Sequence, residues 1–229
     1  MKSQTPKWEQ FAQEDPEVYI WGKARTSADY QDTFFATGRN EVPGILSLVE
    51  PYLRGRDLVV EYGCGVGRLL IPMREHFDAA LGVDISPSML GRLRDNCAER
   101  GVTGVRTALA TDDWPKDVRA DLVYCWAVFQ HIASAAVIQD VLNNIARAVK
   151  PGTGVAFLHF DTRRRTPAYW ARFALPDALL PRFWRRSIRC IRRRPERVRQ
   201  MLARAGFEIV NEMATAPAYR VFVVQVPLF

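Results

Sequence analysis

Residues 58–67, with the sequence LVVEYGCGVG, constrain the fold of this chain more than any other stretch. Strand-forming residues run directly into three glycines at alternate positions, Gly63, Gly65 and Gly67, and an apolar, helix-like run follows. A strand, a glycine turn and a helix start in succession present backbone N–H groups to a ligand without a Cβ atom in the way. Arg68 stands where the dinucleotide fingerprint G-x-G-x-x-G would place its last glycine, which argues against NAD or FAD.

An acidic residue follows at the position where such a site needs one. Residues 79–84 (AALGVD) have the pattern of a second buried strand, and they end in Asp84, 17 residues beyond Gly67. In an open α/β sheet, an acid at the carboxyl end of the second strand accepts hydrogen bonds from ribose hydroxyl groups. The two patterns together predict a nucleoside-binding site at one edge of a parallel sheet.

Four motifs in a fixed order now identify a family resemblance. The segments VVEYGCGVGR, LGVDISPSML, ADLVYCWAVFQHI and VKPGTGVAFLHF lie between residues 58 and 160, and together they resemble the class I S-adenosylmethionine-dependent methyltransferases. The resemblance implies a single α/β domain over residues 1–229, with S-adenosyl-L-methionine as the cofactor. It also implies a Rossmann-like, seven-stranded sheet in the order 3-2-1-4-5-7-6, with the last strand antiparallel and helices on both faces.

The resemblance also implies which residues contact the cofactor. Arg39 would pair with the cofactor's carboxylate, or else be an ordinary surface arginine. Glu61 is a buried acid that needs partners, and it would either order the glycine loop or reach the cofactor's amino group. Either Asp112 or Asp113 would accept a hydrogen bond from the adenine amino group, and Trp114 would stack on the adenine or cover the loop. The full candidate set is Arg39, Glu61, Gly63, Gly65, Gly67, Asp84, Ile85, Asp112, Asp113 and Trp114.

Two histidines are the candidate catalytic residues. His131 follows the predicted fourth strand, and His159 lies near the end of the fifth strand, predicted for residues 154–160. The carboxyl edge of an open α/β sheet binds ligands at its topological switch point, so both histidines are expected there. His131 is either a base or substrate contact, or a structural residue that makes a scaffold hydrogen bond. His159 either shapes the pocket or acts chemically.

The cysteine pattern and the hydropathy indicate in which compartment the protein is found and whether it binds a metal. The four cysteines are scattered, and with the three histidines they form no metal-ligand pattern. No apolar run approaches the roughly 18 residues of a membrane span, and the polar N-terminus does not have the pattern of a secretory signal. We therefore expect a cytoplasmic, metal-free protein without stable membrane insertion.

The positive charge is concentrated in one segment. The chain has a formal net charge of +7, yet residues 161–194 contain eleven arginines and only two aspartates. Prolines and aromatic residues are interleaved with the arginines, which predicts a compact lid whose aromatic side chains, Trp170, Phe173, Phe183 and Trp184, turn toward the site. At the other end, residues 1–57 are expected to form a helical cap with breaks near Pro16, Gly22 and Gly38, and its last helix is predicted for residues 42–52.

The predicted function is methyl transfer to an O or N nucleophile of a small-molecule acceptor, and the basic segment would suit an anionic acceptor. One alternative is an RNA methyltransferase in which that segment pairs with phosphates and stacks on bases. Another is a non-catalytic subunit that binds S-adenosylmethionine. The sequence leaves the acceptor and the oligomeric state open.

Overall fold

A seven-stranded sheet forms the centre of the computed structural model, which describes residues 5–23, 27–179, 190–215 and 219–228. The strands are β1 (Leu58–Tyr62), β2 (Ala79–Asp84), β3 (Val105–Leu109), β4 (Leu122–Cys125), β5 (Val155–Asp161), β6 (Glu208–Thr215) and β7 (Tyr219–Gln225). Their order is β3-β2-β1-β4-β5-β7-β6, and β7 runs antiparallel to both β5 and β6. The predicted strand order and the antiparallel last strand are confirmed.

The described helices alternate with the strands along most of the chain. They are α1 (Thr5–Glu14), α2 (Pro16–Trp21), α3 (Tyr30–Val49), α4 (Leu70–Arg74), α5 (Pro87–Glu99), α6 (Ala135–Ala148), α7 (Pro167–Ala174) and α8 (Pro195–Arg204). Ser86 and Ser134 begin α5 and α6 as N-caps, because their hydroxyl oxygens accept hydrogen bonds from backbone N–H groups three residues later. Among the described helices, none combines the length and the apolar character that a membrane span requires.

Two hydrophobic layers cover the two faces of the sheet. Successive strand residues point to opposite faces, so Tyr124 and Phe157 pack with α3, α4 and α5, whereas Val123 and Leu158 pack with α6 and α8. Both layers consist of fully buried aliphatic and aromatic side chains. The prediction of helices on both faces is therefore confirmed.

Helix α3 differs from the prediction, because it continues without a break through Gly38 and Pro43. A Cβ atom at Gly38 would lie only 1.9 Å from the carbonyl oxygen of Arg68. Gly38 thus serves close packing of α3 against the glycine loop, rather than a helix break. The predicted helix over residues 42–52 corresponds to the second half of this longer helix, which ends at Val49, whereas residues 50–52 form a turn.

Candidate cofactor site

The glycine turn after β1 lines the principal cavity, which has a volume of about 250 Å³. Gly63 and Gly65 have φ values of +81° and +51°, in the left-handed region that favours glycine. A Cβ atom at Gly63 would lie 2.2 Å from Cγ2 of Val128, and one at Gly65 would lie 2.7 Å from Cδ1 of Ile20. Only glycine is therefore tolerated at positions 63 and 65. The turn presents bare backbone to the cavity, and a nucleoside-containing ligand can approach such a surface closely.

Gly67, the third glycine of the motif, is not part of the cavity lining. Its φ is +93°, and a Cβ atom there would lie 2.4 Å from Cδ1 of Leu93 on α5. Gly67 therefore allows α5 to pack closely against the turn.

Asp84, at the carboxyl end of β2, joins this turn to the second strand. Its carboxylate accepts hydrogen bonds from the backbone N–H groups of Gly65 at 2.9 Å and Ser86 at 3.0 Å. Burial raises the pKa of Asp84, and the backbone donors oppose that shift. A carboxylate has about four lone-pair sites, so Asp84 retains acceptor capacity toward the cavity that it lines. Ile85, the next residue, also lines the cavity.

Glu61 is buried within β1 and faces the same cavity. The Tyr124 hydroxyl donates a hydrogen bond to its carboxylate at 2.9 Å, and the backbone N–H of Leu70 at the start of α4 is a second donor. Burial raises the pKa of Glu61 to about 8. The contact with Leu70 supports the prediction that Glu61 orders the loop, and its contact with the cofactor's amino group stays a prediction.

Arg68, which was not among the predicted cofactor contacts, lines the cavity, whereas the predicted Arg39 does not. Arg68 lines the cavity with its side chain 10% exposed, and it pairs with Glu41 at 3.0 Å. Arg39 is 65% exposed and pairs with Glu75 at 3.2 Å, outside the cavity lining. The position of Arg68 directly after the glycine motif was the sequence signal that could have identified it.

Helices α1 and α2 cover the cavity from the N-terminal side. Trp8, Tyr19 and Ile20 contribute to its lining, and the Trp8 ring meets the His131 ring edge to face at 5.4 Å. Glu9 fixes α1 to the start of α5, because its carboxylate accepts a hydrogen bond of 2.6 Å from the Ser86 hydroxyl. The sequence predicted a helical cap here, but it did not identify these lining residues.

The loop after β4 also lines the cavity. Trp126, Ala127, Gln130 and His131 line the cavity, and Ala127 has a φ of +57°, which is uncommon for a residue with a Cβ atom. Burial lowers the pKa of His131 to about 4, so its imidazole is neutral near pH 7. The structure therefore places His131 at the predicted site as a neutral imidazole.

His159 does not line the cavity, contrary to our expectation. It is 6% exposed and lies between the rings of Trp126, at 4.5 Å, and Tyr219, at 5.1 Å. Burial lowers the pKa of His159 to about 4, although the Asp161 charge acts in the opposite direction. His159 does not reach the cavity itself, but it packs against Trp126, which lines the cavity.

The acids and the tryptophan after β3 also lie outside the cavity lining. Asp112 and Asp113 are exposed, and Asp113 pairs with Arg147 at 2.9 Å. Trp114 is buried and packs against Tyr62, which does line the cavity. This placement favours the covering role for Trp114 over direct stacking on adenine.

The described residues of the basic segment do not lie over the principal cavity, where the predicted lid would place them. Among its described residues, none lines the principal cavity, and Trp170 is 53% exposed. Its neighbour Tyr169 is buried instead, and the Tyr169 hydroxyl accepts a hydrogen bond from the backbone N–H of Arg192 at 3.3 Å. Consecutive helix residues point in different directions, so burial of Tyr169 turns Trp170 outward. Phe183, Trp184 and the side chain of Phe173 lie outside the described part of the chain.

Comparison with known proteins agrees with this architecture. A family model described as "Methyltransferase domain" matches residues 35–212, which is most of the chain. A magnesium protoporphyrin IX methyltransferase from Synechocystis PCC 6803, crystallised with bound SAH (S-adenosylhomocysteine), superimposes with a TM-score of 0.66 at 19% identity. The superposition covers 96% of this chain and 98% of that chain, and it shows a shared fold.

Curated relatives share shorter segments. A ribosomal protein L11 methyltransferase from Photobacterium profundum is 31% identical over 127 residues, which are 53% of this chain and 40% of the relative. A ubiquinone biosynthesis O-methyltransferase from Methylococcus capsulatus is 31% identical over 109 residues, which are 46% of this chain and 44% of the relative. The chain thus spans less than half the length of these two relatives.

Proposed function

The chain belongs to the methyltransferase-domain family, and we propose on this basis that it transfers the methyl group of S-adenosyl-L-methionine to an O or N nucleophile of a small molecule. The observation that carries the proposal is the cavity at the carboxyl ends of β1, β2 and β4. Its lining combines the backbone of Gly63 and Gly65 with the carboxyl groups of Asp84 and Glu61. These groups suit a ligand that has ribose hydroxyls together with an amino acid moiety.

Each end of that ligand has suitable partners in the cavity. Asp84 would hold the ribose hydroxyls, since it has acceptor sites beyond those used by Gly65 and Ser86. Arg68 would pair with the cofactor's carboxylate, and Glu61 would accept from its amino group. Ile85 and Tyr62 supply apolar surface for the adenine ring.

The protein's contribution to the reaction is alignment and exclusion of water. When bound, S-adenosyl-L-methionine supplies an electrophilic methyl group and a neutral thioether leaving group, so that no strong acid is needed. A histidine with a pKa of about 4 is a weak base, so we assign His131 to hydrogen bonding with the acceptor rather than to general-base catalysis. His159 would act as a positioning residue through Trp126.

A small acceptor suits the walls of this site. Trp8, Tyr19 and Trp126 bring aromatic surface to a cavity that α1 and α2 cover, which is how small-molecule sites are usually lined. The magnesium protoporphyrin IX methyltransferase is named for a small acceptor, and another relative is named for the biosynthesis of ubiquinone, whereas the ribosomal protein L11 methyltransferase is named for a protein. The side chains of Arg165 and Arg192 donate to the backbone carbonyl oxygens of Arg192 and Arg164, and these contacts tie together the two ends of the basic segment.

Transfer of label from methyl-labelled S-adenosyl-L-methionine tests this proposal. The purified protein would be incubated with a small-metabolite extract, with ribosomal protein and with RNA, and Asp84→Ala would serve as the control with weakened cofactor binding. We expect label in the small-molecule fraction only. Label in protein or in RNA would show that the acceptor is a macromolecule and not a small molecule. Cofactor binding without any label transfer would support a non-catalytic binding subunit.

A further inference from the structure

A second cavity, of about 680 Å³, lies beside the first, and Ala133 lines both of them. Its volume falls in the range of small-molecule sites. Four arginines line it, namely Arg165, Arg193, Arg194 and Arg197, and among its described lining residues Glu196 is the one acid. The cavity is therefore strongly basic, and the principal site does not use these residues.

Two of the four guanidinium groups are held in place by backbone carbonyl groups. Arg193 is buried, and it donates hydrogen bonds to the carbonyl oxygens of Phe129, at 2.9 Å, and Ile132. Arg165 donates to the carbonyl oxygen of Arg192 at 3.0 Å. Burial lowers the pKa of Arg193 to about 10, so it still has its charge at neutral pH. The fold thus positions two cations whose hydrogen-bond partners are uncharged.

The other two arginines and the acid do not cancel this charge. Arg197 contacts the Gln200 side-chain oxygen at 3.4 Å, and in the described parts of the chain neither Arg194 nor Arg197 has a carboxylate within ion-pair distance. Glu196 lies 3.8 Å from Arg199, which is not a lining residue. The lining therefore retains an excess of positive charge.

We propose that this second cavity binds the phosphate monoester group of a small molecule. A phosphate monoester has close to two negative charges and three acceptor oxygens, which match several guanidinium forks better than a singly charged carboxylate does. Because Ala133 adjoins both cavities, we assign this phosphate group to the methyl acceptor, and that assignment rests on the proposed function. The four guanidinium groups lie around one cavity, and two of them, those of Arg165 and Arg193, are already fixed, which favours a compact anion over a polyanion.

Calorimetric titration with phenyl phosphate tests the inference, with benzoate and sodium chloride at matched ionic strength as comparison solutes. The informative variant is Arg194→Gln/Arg197→Gln, which removes two exposed lining charges. Arg92→Gln/Arg204→Gln is the matched control, because it removes two exposed arginines elsewhere and changes the net charge equally. We expect phenyl phosphate to bind the wild type and the control, and to bind the lining variant about tenfold or more weakly.

Several results would overturn the inference: equal binding to all three proteins, no binding to the wild type, or benzoate binding as tight as that of phenyl phosphate. RNA binding is a further outcome that would overturn the inference. If single-stranded RNA binds at submicromolar concentration, weakens steeply with salt and is lost in the lining variant, the arginines form an RNA site instead. S-adenosylhomocysteine affinity, measured in the same proteins, should stay unchanged. If the wild type fails to bind S-adenosylhomocysteine, the proposed function is wrong. The phosphate titration still shows, independently of that result, whether the second cavity binds a phosphate monoester.

Discussion

The carboxylate of Asp84 accepts a hydrogen bond of 2.9 Å from the backbone N–H of Gly65, and so connects the end of β2 to the glycine turn that follows β1. One side chain thereby fixes the turn and faces the cavity. The proposed cofactor site therefore depends on the conformation of the turn, and the substitutions below test the two contributions separately.

Gly63→Ala should damage the site through its backbone. The new Cβ atom would lie 2.2 Å from Cγ2 of Val128, at a φ of +81°, so we expect a loss of about 1–3 kcal/mol in the free energy of unfolding and weaker S-adenosylhomocysteine binding. Urea denaturation and calorimetry measure the two effects. Gly44→Ala, inside α3, is the matched control, because its new Cβ atom would meet nothing within 4 Å in the described parts of the chain. That variant should gain about 0.5–1 kcal/mol, and equal stability of Gly63→Ala and wild type would contradict the tight turn.

Arg68→Gln and Arg39→Gln form a second matched pair. Arg68 lines the cavity, whereas Arg39 is exposed beside Glu75. Loss of a charged partner for the cofactor's carboxylate should weaken S-adenosylhomocysteine binding by about 1–3 kcal/mol in Arg68→Gln, and Arg39→Gln should leave it unchanged. The reverse pattern would restore the prediction made from sequence.

Glu61 should make the protein less stable as the pH rises. Its pKa is about 8 in the folded protein, against 4.5 for an ordinary glutamate, so the folded state binds the additional proton between these values. The stabilisation is complete below about pH 4.5 and is lost as the pH rises through about 8. Urea unfolding from about pH 6 to about pH 9 should show a shallower decline in Glu61→Gln than in wild type. Glu75→Gln, at an exposed position, is the control. Identical pH profiles for Glu61→Gln and wild type would refute the raised pKa.

His159 should have the opposite dependence at acid pH. Its pKa falls from 6.5 to about 4 on folding, so the unfolded state binds the proton first, and stability is lost as the pH falls from about 6.5 through about 4. His159→Phe keeps a ring between Trp126 and Tyr219, and should reduce that acid loss by on the order of 3 kcal/mol. Turnover near pH 7 should stay near normal. A fall of about 10²-fold with cofactor affinity intact would show that His159 acts as a base.

The position of Asp84 could be predicted from sequence because it depends on a local pattern, whereas the strand order was implied by the family resemblance. Buried parallel strands are short apolar runs, and the position of Asp84 at the end of such a run fixes it at the ligand edge of the sheet.

Packing contacts between residues that are far apart in the chain could not be predicted from local sequence patterns. Gly38 has the local appearance of a helix break, but its role is set by the Arg68 carbonyl, which lies thirty positions further along the chain. The same packing determines that Arg68 enters the cavity and that Arg39 points away. His159 was placed at the correct strand end, yet its burial depends on Trp126 and Tyr219 from two other elements.

Calorimetric titration of S-adenosylhomocysteine into wild type, Asp84→Ala and Asp78→Ala tests the central claim most directly. Asp78 is an exposed aspartate at the opposite end of β2, so it provides a matched control. We predict micromolar binding to wild type and Asp78→Ala, a loss of about 1–3 kcal/mol in Asp84→Ala, and no comparable binding of NAD. Unchanged affinity in Asp84→Ala, or NAD binding as tight as that of S-adenosylhomocysteine, would contradict the assignment of this cavity.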